Sequence, residues 1–134
     1  MKIYIASSFQ FTKAVKDLAK KLEARRHVIT CKWWLKDYKV ALAIVDDEVW
    51  FSQPIIRTIY NRSMKAIEEA DMLILVAPEV CTFNGGNIEV GMALAFHKPV
   101  VCLGWLKRSA MYEPVIRCHT MRDLNNVLLE FEKH

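Results

Sequence analysis

The sequence predicts an α/β fold. We expect a single domain over residues 1–134, built as a three-layer sandwich around a roughly five-stranded parallel sheet, flavodoxin- or Rossmann-like. Segments typical of strands and of helices alternate along the chain, a pattern that favours a parallel sheet with helices on both faces. Met72–Ala77 and Val100–Leu103 are near-continuous apolar runs, as strands buried on both faces require. With 53% hydrophobic residues, the chain can bury a substantial core.

The N-terminal part of the chain predicts a strand, a helix and a second strand. Lys2–Ala6 is a run of β-branched and aromatic residues that ends at two serines, which is typical of a strand entering a polar loop. From residue 12 to residue 25, apolar residues recur at helical spacing with lysines opposite them. The apolar stripe of this helix is Val15, Leu18, Ala19 and Leu22. Val28–Trp33 is the second candidate strand.

Residues 35–62 fit no single element. The apolar run Val40–Val45 is followed by the acidic run Asp46–Glu48, and Pro54 then ends whatever precedes it. We therefore leave this segment without an assignment.

The middle of the chain predicts a helix, a strand and a glycine-containing loop. Ser63–Ala70 is assigned to a short helix, and Pro78 ends the apolar strand that follows it. Cys81–Asn87 is assigned to a loop because it contains two adjacent glycines. The next helix is expected over Ile88–Phe96.

The last part of the chain predicts two more strands and a helix. Pro99–Leu103 is an apolar strand that ends at a glycine, and Val115–Cys118 is a candidate fifth strand. Thr120 has the character of a helix N-cap, with Asp123 as its capping-box partner three residues later. The buried stripe of this final helix is Leu124, Val127, Leu128 and Phe131.

Composition and charge exclude several classes of protein. The net charge of +4 is modest and the basic residues are scattered, so a nucleic-acid polymer is not an expected partner. The four cysteines are far apart and no histidine stands at metal-ligand spacing, so we expect no disulfide framework, no metal site and no cofactor. The histidines show no catalytic arrangement and are expected at the surface or in loops. Without a bilayer-spanning stretch or a signal-peptide pattern, we expect a soluble, cytoplasmic protein with no membrane partner.

The carboxyl ends of the predicted strands are the expected place for a ligand, because parallel sheets bind ligands there. Three loops lie at this edge: Ala6–Phe9, Ala77–Asn87 and Gly104–Ser109. Every residue of chemical interest falls in or next to these loops.

The stretch from residue 84 to residue 91 is the central feature of that edge. Gly85 and Gly86 allow a sharp turn and a close approach of the backbone to a ligand, and the free N–H groups of the following helix begin at Asn87. Glu89 falls in the first turn of that predicted helix, where a carboxylate either complements the helix dipole or serves a ligand. The stretch matches neither the P-loop nor the dinucleotide fingerprint.

Four segments in this order and spacing carry a family resemblance. They are Lys2–Ser8, Ile67–Ile74, Gly86–Ala95 with Lys98–Val100, and Ser109–Met111. Together they resemble the nucleoside 2-deoxyribosyltransferase family, which includes the 2′-deoxynucleoside 5′-phosphate N-hydrolases. The resemblance covers nearly the whole chain and implies cleavage of the N-glycosidic bond of a nucleoside or nucleotide.

The resemblance implies roles for residues of the first strand and of the glycine-containing stretch. Glu89 matches the glutamate that attacks the anomeric carbon, forming a glycosyl-enzyme ester by the logic of a retaining glycosidase. Tyr4 matches the strand tyrosine that holds this carboxylate, unless it is simply a core aromatic. Ser8, with the backbone of Ser7 and Phe9, matches the loop that meets the 5′ end of the sugar.

Two positions depart from the family pattern. Gln10 stands where the phosphate-cleaving members have an arginine, which favours a nucleoside or another way of binding phosphate. Ser63 stands where the family usually has an aspartate, eight residues before Asp71, that supports proton transfer to the departing base. A hydroxyl has no pKa suited to that work near neutrality. An acid from Asp46–Glu48 could substitute, the leaving group could need less help, or activity could be poor.

Further candidates concern the walls of the site. Ser109 and Met111 are the first and last residues of the short motif beyond the fourth strand. Ser109 matches a residue that, in dimeric members, reaches the neighbouring subunit's site, which implies at least a homodimer. Trp34 and Trp50 are candidate pocket walls on which a base could stack. Because side chains alternate along a strand, we expect only one of Trp33 and Trp34 to point inward.

Two other functions compete with glycosyl transfer. A TIR-type NAD nucleosidase has a related α/β architecture and a helix glutamate, although its pattern fits the glycine-containing stretch and Ser109–Met111 less well. A nucleotide-binding module without catalysis would explain the missing acid at Ser63.

Overall fold

The protein is described by a computed structural model over residues 1–35, 46–81 and 83–133. Its sheet contains β1 (Lys2–Ala6), β2 (Val28–Ile29), β3 (Met72–Ala77), β4 (Val100–Gly104) and β5 (Ile116–Cys118). The strands lie in the order β2-β1-β3-β4-β5, and every neighbouring pair is parallel. The predicted α/β fold with a parallel five-stranded sheet is confirmed.

Helices cover both faces of the sheet. The described residues form α1 (Thr12–Ala24), α2 (Asp47–Ser52), α3 (Pro54–Glu69), α4 (Asn84–Ala95) and α5 (Met121–Glu132), with short 3-10 turns at Phe9–Phe11 and Ala110–Tyr112. The chain moves one way from β1 to β2 and the other way from β2 to β5. Right-handed crossovers therefore place α1 on one face and α3 and α4 on the opposite one. A side-chain hydrogen bond from Arg25 to Asn125 joins α1 to α5.

The core lies on both sides of the central strands. All six residues of β3 are buried, as its apolar run predicts. In β1, side chains alternate between the two faces, so Tyr4 points away from the face of Ile3 and Ile5. Tyr4 is only 1% exposed, and α3 and α4 both pack against β1. The strand therefore delivers one polar hydroxyl into the layer between the sheet and these two helices.

The predicted bounds of β1 and β3 are confirmed, whereas β2 is much shorter than Val28–Trp33. Its ladder to β1 ends after the amide of Thr30 donates to the carbonyl of Ile3 at 3.0 Å. Two residues further along β1, the carbonyl of Ile5 accepts a hydrogen bond from the indole Nε1 of Trp33 at 2.6 Å and not from a backbone amide. A side chain thus replaces the backbone partner at this sheet edge, and the chain is free to turn.

The expected alternation of the two tryptophans is wrong for the same reason. Trp33 and Trp34 are 5% and 7% exposed, so both are buried. They lie in a turn and not in a strand, and their rings meet edge to face with centroids 5.5 Å apart.

Two helices, α3 and α4, begin earlier in the structure than the sequence predicts. The helix predicted over Ser63–Ala70 extends back to Pro54, which occupies the first helical position, where its missing N–H costs no hydrogen bond. Of the unassigned segment 35–62, the apolar run Val40–Val45 lies outside the described residues. Asp46 caps α2 by accepting a hydrogen bond from the amide of Val49 at 3.0 Å.

The predicted loop over Cys81–Asn87 is wrong in its second half, because α4 begins at Asn84. Gly85 and Gly86 are therefore helical, although glycine disfavours helices by about 1 kcal/mol. Packing explains the exception: a Cβ built on Gly86 would lie 3.0 Å from Cβ of Phe83, the N-cap residue of the helix, and 3.5 Å from Cδ1 of Leu75 in β3. The contact with Leu75 would be an ordinary one, whereas Phe83 would have to shift slightly to admit a larger residue.

The C-terminal helix confirms its predicted cap. The Thr120 hydroxyl accepts from the amide of Asp123 at 3.2 Å, and the Asp123 carboxylate accepts from the amide of Thr120 at 3.1 Å. His27, expected at the surface or in a loop, lies in the connection between α1 and β2 but is only 5% exposed. Its ring sits between the Met1 amino group, 3.1 Å from Nδ1, and Glu132, 3.1 Å from Nε2.

Gly104 should be the glycine least tolerant of substitution. Its φ of +123° is unfavourable for other residues, and a Cβ there would lie 1.8 Å from the carbonyl oxygen of Ala77. We expect Gly104→Ala to lower the free energy of unfolding by roughly 3 kcal/mol or more, measured by urea denaturation. Gly91→Ala is the matched control, because nothing lies within 4 Å of its Cβ position, and it should be neutral or stabilising. Equal losses in both variants would contradict this explanation.

Candidate active site

Three side chains meet in the layer between the sheet and the helices α3 and α4. Tyr4 comes from β1, Ser63 from α3 and Glu89 from α4. The Glu89 carboxyl group and the Ser63 hydroxyl both lie close enough to the Tyr4 hydroxyl to shift its pKa, Glu89 upward and Ser63 downward. The sequence analysis predicted that Tyr4 holds Glu89 and that Ser63 stands at the position of the family aspartate, and the structure places Ser63 beside Tyr4.

Helical spacing explains why Ser63 faces Tyr4. Ala66 and Ile67 follow it by three and four residues and are buried against the sheet, so Ser63 lies on the same helix face. It is half-buried, as expected at the rim of that face. The sequence places the serine where the family aspartate would stand, and α3 carries it to the tyrosine.

Helix α4 positions Glu89 by a similar pattern. Its inward face is formed by Gly86, Val90 and Ala93, which are buried at helical spacing. Glu89 lies one position to the side of this face, so its carboxyl group reaches along the sheet toward Tyr4. Because α4 begins at Asn84, Glu89 lies in the second turn of the helix and not in the predicted first turn. Complementing the helix dipole is therefore a poor explanation for its position.

The electrostatics of Glu89 are unusual for a carboxyl group. Burial raises its pKa from 4.5 to about 7, and the hydrogen bond from Tyr4 lowers it in part. The residue as a whole is partly exposed, but its Oε2 atom has no solvent contact and no hydrogen-bond partner among the described residues. A desolvated carboxylate oxygen without a partner is poised to bind or attack an electrophile.

Tyr4 is also strongly perturbed. Burial raises its pKa well above the usual value of 10.0, and the nearby Glu89 charge raises it further. The phenol therefore stays protonated at physiological pH and acts as a hydrogen-bond donor. The carboxylate accepts that hydrogen bond, because an ionised carboxyl group has no proton to give.

Gly85 leaves space beside the carboxyl group. It precedes Glu89 by one helical turn, and a Cβ built on it would lie 3.8 Å from Oε1 of Glu89. Since Gly85 is itself exposed, this side of Glu89 is open to a ligand. The two glycines are thus helical, where the sequence predicted a loop, and Gly85 leaves the Glu89 carboxyl group accessible.

The first edge loop is held by its own contacts. Ser7 donates from its hydroxyl to the carbonyl of Val76 at 2.7 Å, which joins the carboxyl ends of β1 and β3. Its side chain is thereby committed, and its backbone is what remains for a ligand. Ser8 precedes the 3-10 turn, and Phe9 is 40% exposed with its ring edge-to-face on Trp33 at 5.3 Å. Trp34, a candidate pocket wall, is only 7% exposed, so Phe9 is the more accessible aromatic.

The segment that follows β4 is tied to α4 by Tyr112, a residue that the sequence analysis did not single out. Tyr112 donates a hydrogen bond from its hydroxyl to Oδ1 of Asn87. This contact fastens the turn that follows Ser109 to the first turns of α4. The Ser109 hydroxyl accepts from the amide of Met111 at 3.2 Å, and Met111 is 78% exposed. No periodic or motif signal marks Tyr112, because its role depends on a contact across the fold.

The acids considered as replacements for the family aspartate are not grouped with Glu89. Asp46, Asp47 and Glu48 are exposed at the start of α2. Among the described residues, none of the three contributes to the pKa shifts of Glu89 or Tyr4. Asp71 is engaged elsewhere: its carboxylate accepts from the amide of Lys2 at 2.8 Å, which joins the starts of β1 and β3.

Two grooves of about 390 and 360 Å³ lie between α1 and α5, on the opposite face of the sheet from Glu89. The second is bordered by Trp105 and His119. Neither groove is lined by Tyr4 or Glu89. We therefore place the candidate active site on the other face of the sheet, where the perturbed carboxyl group of Glu89 lies.

Among the described residues, no helix is long and apolar enough to cross a membrane.

Comparisons with known proteins identify the family. A family model described as nucleoside 2-deoxyribosyltransferase matches residues 3–124, so the chain belongs to this family. Membership supports glycosyl transfer or N-glycosidase chemistry on nucleosides and does not favour the TIR-type or non-catalytic alternatives. Comparison with curated proteins gives no match.

Solved structures share the fold. The 2-deoxyribosyltransferase of Bacillus psychrosaccharolyticus superposes with a TM-score of 0.69 at 20% identity, covering 94% of this chain and 91% of that one. The CMP N-glycosidase BcmB of Clostridium botulinum superposes with a TM-score of 0.59 at 17% identity, covering 96% and 98%. At these identities the likeness concerns the fold.

Glu89 should make the protein less stable as its carboxyl group ionises. Because its folded pKa is raised, the folded state holds the proton more tightly, and stability falls as the pH rises from 4.5 to about 7. We expect Glu89→Gln to raise the free energy of unfolding at pH 8 by up to about 3 kcal/mol, less after solvent screening, and by little at pH 4.5. Urea denaturation at both pH values measures this. The exposed Glu68→Gln is the control, and the same pH dependence in both variants would refute the explanation.

Proposed function

We propose that this protein cleaves the N-glycosidic bond of a nucleoside or nucleotide through a covalent ester between the sugar and Glu89. The observation that carries the proposal is the Glu89 carboxyl group. It is desolvated, has a pKa of about 7, is held by Tyr4 and has one oxygen without a partner. Family membership supplies the class of bond.

The proposed reaction has two displacements. The ionised Glu89 oxygen bonds to the anomeric carbon while the carbon–nitrogen bond breaks and the base leaves with the electron pair. Water or a second base then attacks the same carbon, releasing the carboxylate and restoring the enzyme. Positive charge develops on the sugar in the transition state of each displacement, and the desolvated carboxylate stabilises it strongly because little water screens the interaction.

The base must gain a proton as it leaves. A carboxylic acid at position 63 would supply it, but the side chain there is a serine hydroxyl beside Tyr4. We therefore favour a substrate whose base needs little acid assistance, or one that takes its proton from water on the open side of Glu89 beside Gly85. The acids Asp46–Glu48 are a weaker choice, because they are exposed and act on neither Glu89 nor Tyr4.

The two candidate substrates are a nucleoside and its monophosphate. Gln10 in place of the family arginine favours a nucleoside, whereas the N-glycosidase with the same fold is named for CMP. Phe9 is the exposed aromatic at the edge of the site and is our candidate for contact with the substrate. Ser8 and the backbone of Ser7 and Phe9 would meet the 5′ end of the sugar.

We also propose that the active unit is a homodimer in which Ser109 completes the partner's site. Ser109 is exposed, and the apolar Met111 beside it is 78% exposed, which a partner surface would cover. The hydrogen bond from Tyr112 to Asn87 holds this segment in place for such a contact.

Removing the nucleophile should abolish base release. We expect Glu89→Ala to reduce kcat/KM by at least about a thousandfold, measured by mass spectrometry on deoxynucleosides, ribonucleosides, their monophosphates and NAD with free acceptor bases. Wild-type kcat/KM should rise with pH through a midpoint near 7, because Glu89 must be ionised. Glu68→Ala is the matched control. Nicotinamide release from NAD without turnover of nucleosides would overturn the choice of substrate.

A glycosyl ester should be detectable on the protein. Rapid acid quenching during turnover should yield a peptide containing Glu89 with the added mass of the sugar, and Glu89→Gln should yield none. Base release without any such adduct, and with inversion at the anomeric carbon, would instead indicate direct attack by water.

Mixing inactive subunits should test the shared site. Glu89→Ala and Ser109→Ala homodimers should each be impaired, but a mixed dimer contains one intact site, with Glu89 from one chain and Ser109 from the other. Random exchange makes half of the dimers mixed, so about a quarter of wild-type activity should return. Failure of activity to return, despite subunit exchange shown by native mass spectrometry, would contradict a site shared between subunits.

A further inference from the structure

Position 85 is the helical neighbour of the Glu89 carboxyl group. Helical side chains lean toward the N-terminus of their helix, so Glu89 extends over the turn that contains Gly85. A Cβ built on Gly85 would lie 3.8 Å from Oε1 of Glu89. Apart from chain neighbours and the nearby backbone of its own helix, no other atom of the described residues lies within 4 Å of that Cβ position. The missing side chain therefore leaves an open space beside Oε1.

This space distinguishes Gly85 from the other two glycines of α4. Gly86 is buried, and a Cβ there would lie 3.0 Å from Cβ of Phe83. Gly91 is exposed, and nothing lies within 4 Å of its Cβ position. Gly85 is exposed as well, but the nearest neighbour of its Cβ position is the Glu89 carboxyl group. A side chain at position 85 would thus change the surroundings of the carboxyl group without disturbing the core.

The two oxygens of the Glu89 carboxyl group have different surroundings. Oε2 has no solvent contact and no hydrogen-bond partner among the described residues. Oε1 borders the space left by Gly85, on the exposed side of the helix. One oxygen is thus available for attack, while the other borders a space that admits a group of about the size of a methyl or a hydroxyl.

The stereochemistry of a nucleoside indicates which group would enter this space. In a β-nucleoside the base lies on one face of the sugar ring, so a nucleophile that displaces it attacks C1′ from the opposite face. The 2′-hydroxyl of ribose lies on that same opposite face, on the carbon next to C1′. An attack by Oε2 on C1′ brings this hydroxyl next to the carboxyl group, whose other oxygen accepts hydrogen bonds. In retaining glycoside cleavage, hydrogen bonds to the 2-hydroxyl strengthen in the transition state.

We propose that Gly85 determines the sugar specificity of the site: by leaving the side of Oε1 open, it admits the 2′-hydroxyl of a ribonucleoside or ribonucleotide. The proposal rests on the proposed function and extends its substrate class to ribose. A side chain at position 85 would occupy the space of the 2′-hydroxyl. It would still admit a 2′-deoxy sugar, which has only a hydrogen there.

The experiment compares Gly85→Ala and Gly85→Ser with wild type on ribonucleosides, on the matching 2′-deoxyribonucleosides and on the 5′-monophosphates of both. Base release gives kcat/KM for each sugar, and the ratio of the ribose to the deoxyribose value is the quantity compared. Gly91→Ala is the matched control, because it makes the same change at an exposed position of the same helix with no neighbour within 4 Å. Since alanine favours a helix at both positions, a difference between the two alanine variants reports the space beside Glu89.

The substitutions at position 85 should act on ribose substrates. Gly85→Ala should lower their kcat/KM about tenfold, because it removes a hydrogen bond to a charged group, and change that of deoxyribose substrates less than about threefold. Gly85→Ser, whose hydroxyl would itself donate to Oε1, should lower the ribose value at least as much. Gly91→Ala should keep the wild-type ratio. Gly85→Ala should fold as wild type does by circular dichroism, because its Cβ makes an ordinary contact.

A binding measurement makes the test independent of turnover. In pseudouridine and formycin A the base is joined to C1′ through a carbon atom, so these nucleosides bind without being cleaved. Titration calorimetry on both compounds and on their 2′-deoxy forms compares wild type with Gly85→Ala and Gly91→Ala. The ribose forms should lose about tenfold in affinity in Gly85→Ala, and the deoxy forms should lose little.

Equal losses for both sugars in Gly85→Ala, or an unchanged ratio, would overturn the proposal. So would a wild-type protein that accepts the deoxyribose compounds and no ribose compound, or one that neither cleaves nor binds any of them. If wild type releases no base but the ribose analogues show the expected loss of affinity, the proposed cleavage fails while the assignment of Gly85 to the sugar stands.

Discussion

The electrostatic contact between the Tyr4 hydroxyl and the Glu89 carboxyl group is the interaction around which the candidate site is built. It joins the first strand to the helix that follows the third strand, in the layer between sheet and helices. Without it, Glu89 would be a carboxyl group in a desolvated place with nothing to hold it, and burial would favour its neutral form still more. With it, one side of the carboxyl group is fixed while Oε2 stays without a partner.

The rest of the fold compensates for the loss of stability that the buried Glu89 carboxyl group causes when it ionises. A carboxyl group with a raised pKa opposes folding once it ionises, so the surrounding core must supply the stability that the site gives up. The fully buried strand β3 and the close approach of α4 at Gly86 provide a rigid support next to Glu89. Two adjacent glycines of α4 have different roles: Gly86 allows close packing, and Gly85 leaves space beside the Glu89 carboxyl group.

The loops around the site are held by polar contacts that leave backbone and exposed side chains for a ligand. Ser7 fastens the end of β1 to the end of β3, and Tyr112 fastens the segment after β4 to Asn87. Such contacts restrict the loops before any substrate arrives, which lowers the entropy cost of forming the complex. They also show that a serine or asparagine at a ligand-binding edge can serve the loop itself.

Local residue patterns alone determined a large part of the architecture. The strands β1 and β3, the first helix and the capping box at Thr120 depend on residues within a few positions of one another, so periodicity and cap chemistry reveal them. The pairing of Tyr4 with Glu89 was predicted by the resemblance of several short segments to one family. Neither the early start of α4 nor the short β2 could be predicted in this way, because Gly86 packs on β3 and the Trp33 indole replaces a strand partner.

What only the tertiary structure decided is the chemical state of the site. The sequence established that a glutamate, a tyrosine and a serine stand at particular positions, and that the serine replaces a family aspartate. The raised pKa of Glu89 and the contact of Ser63 with Tyr4 depend on burial and on three elements far apart in the chain. Desolvation is a property of everything that surrounds a group, so it emerges only when the sheet and both helices are in place.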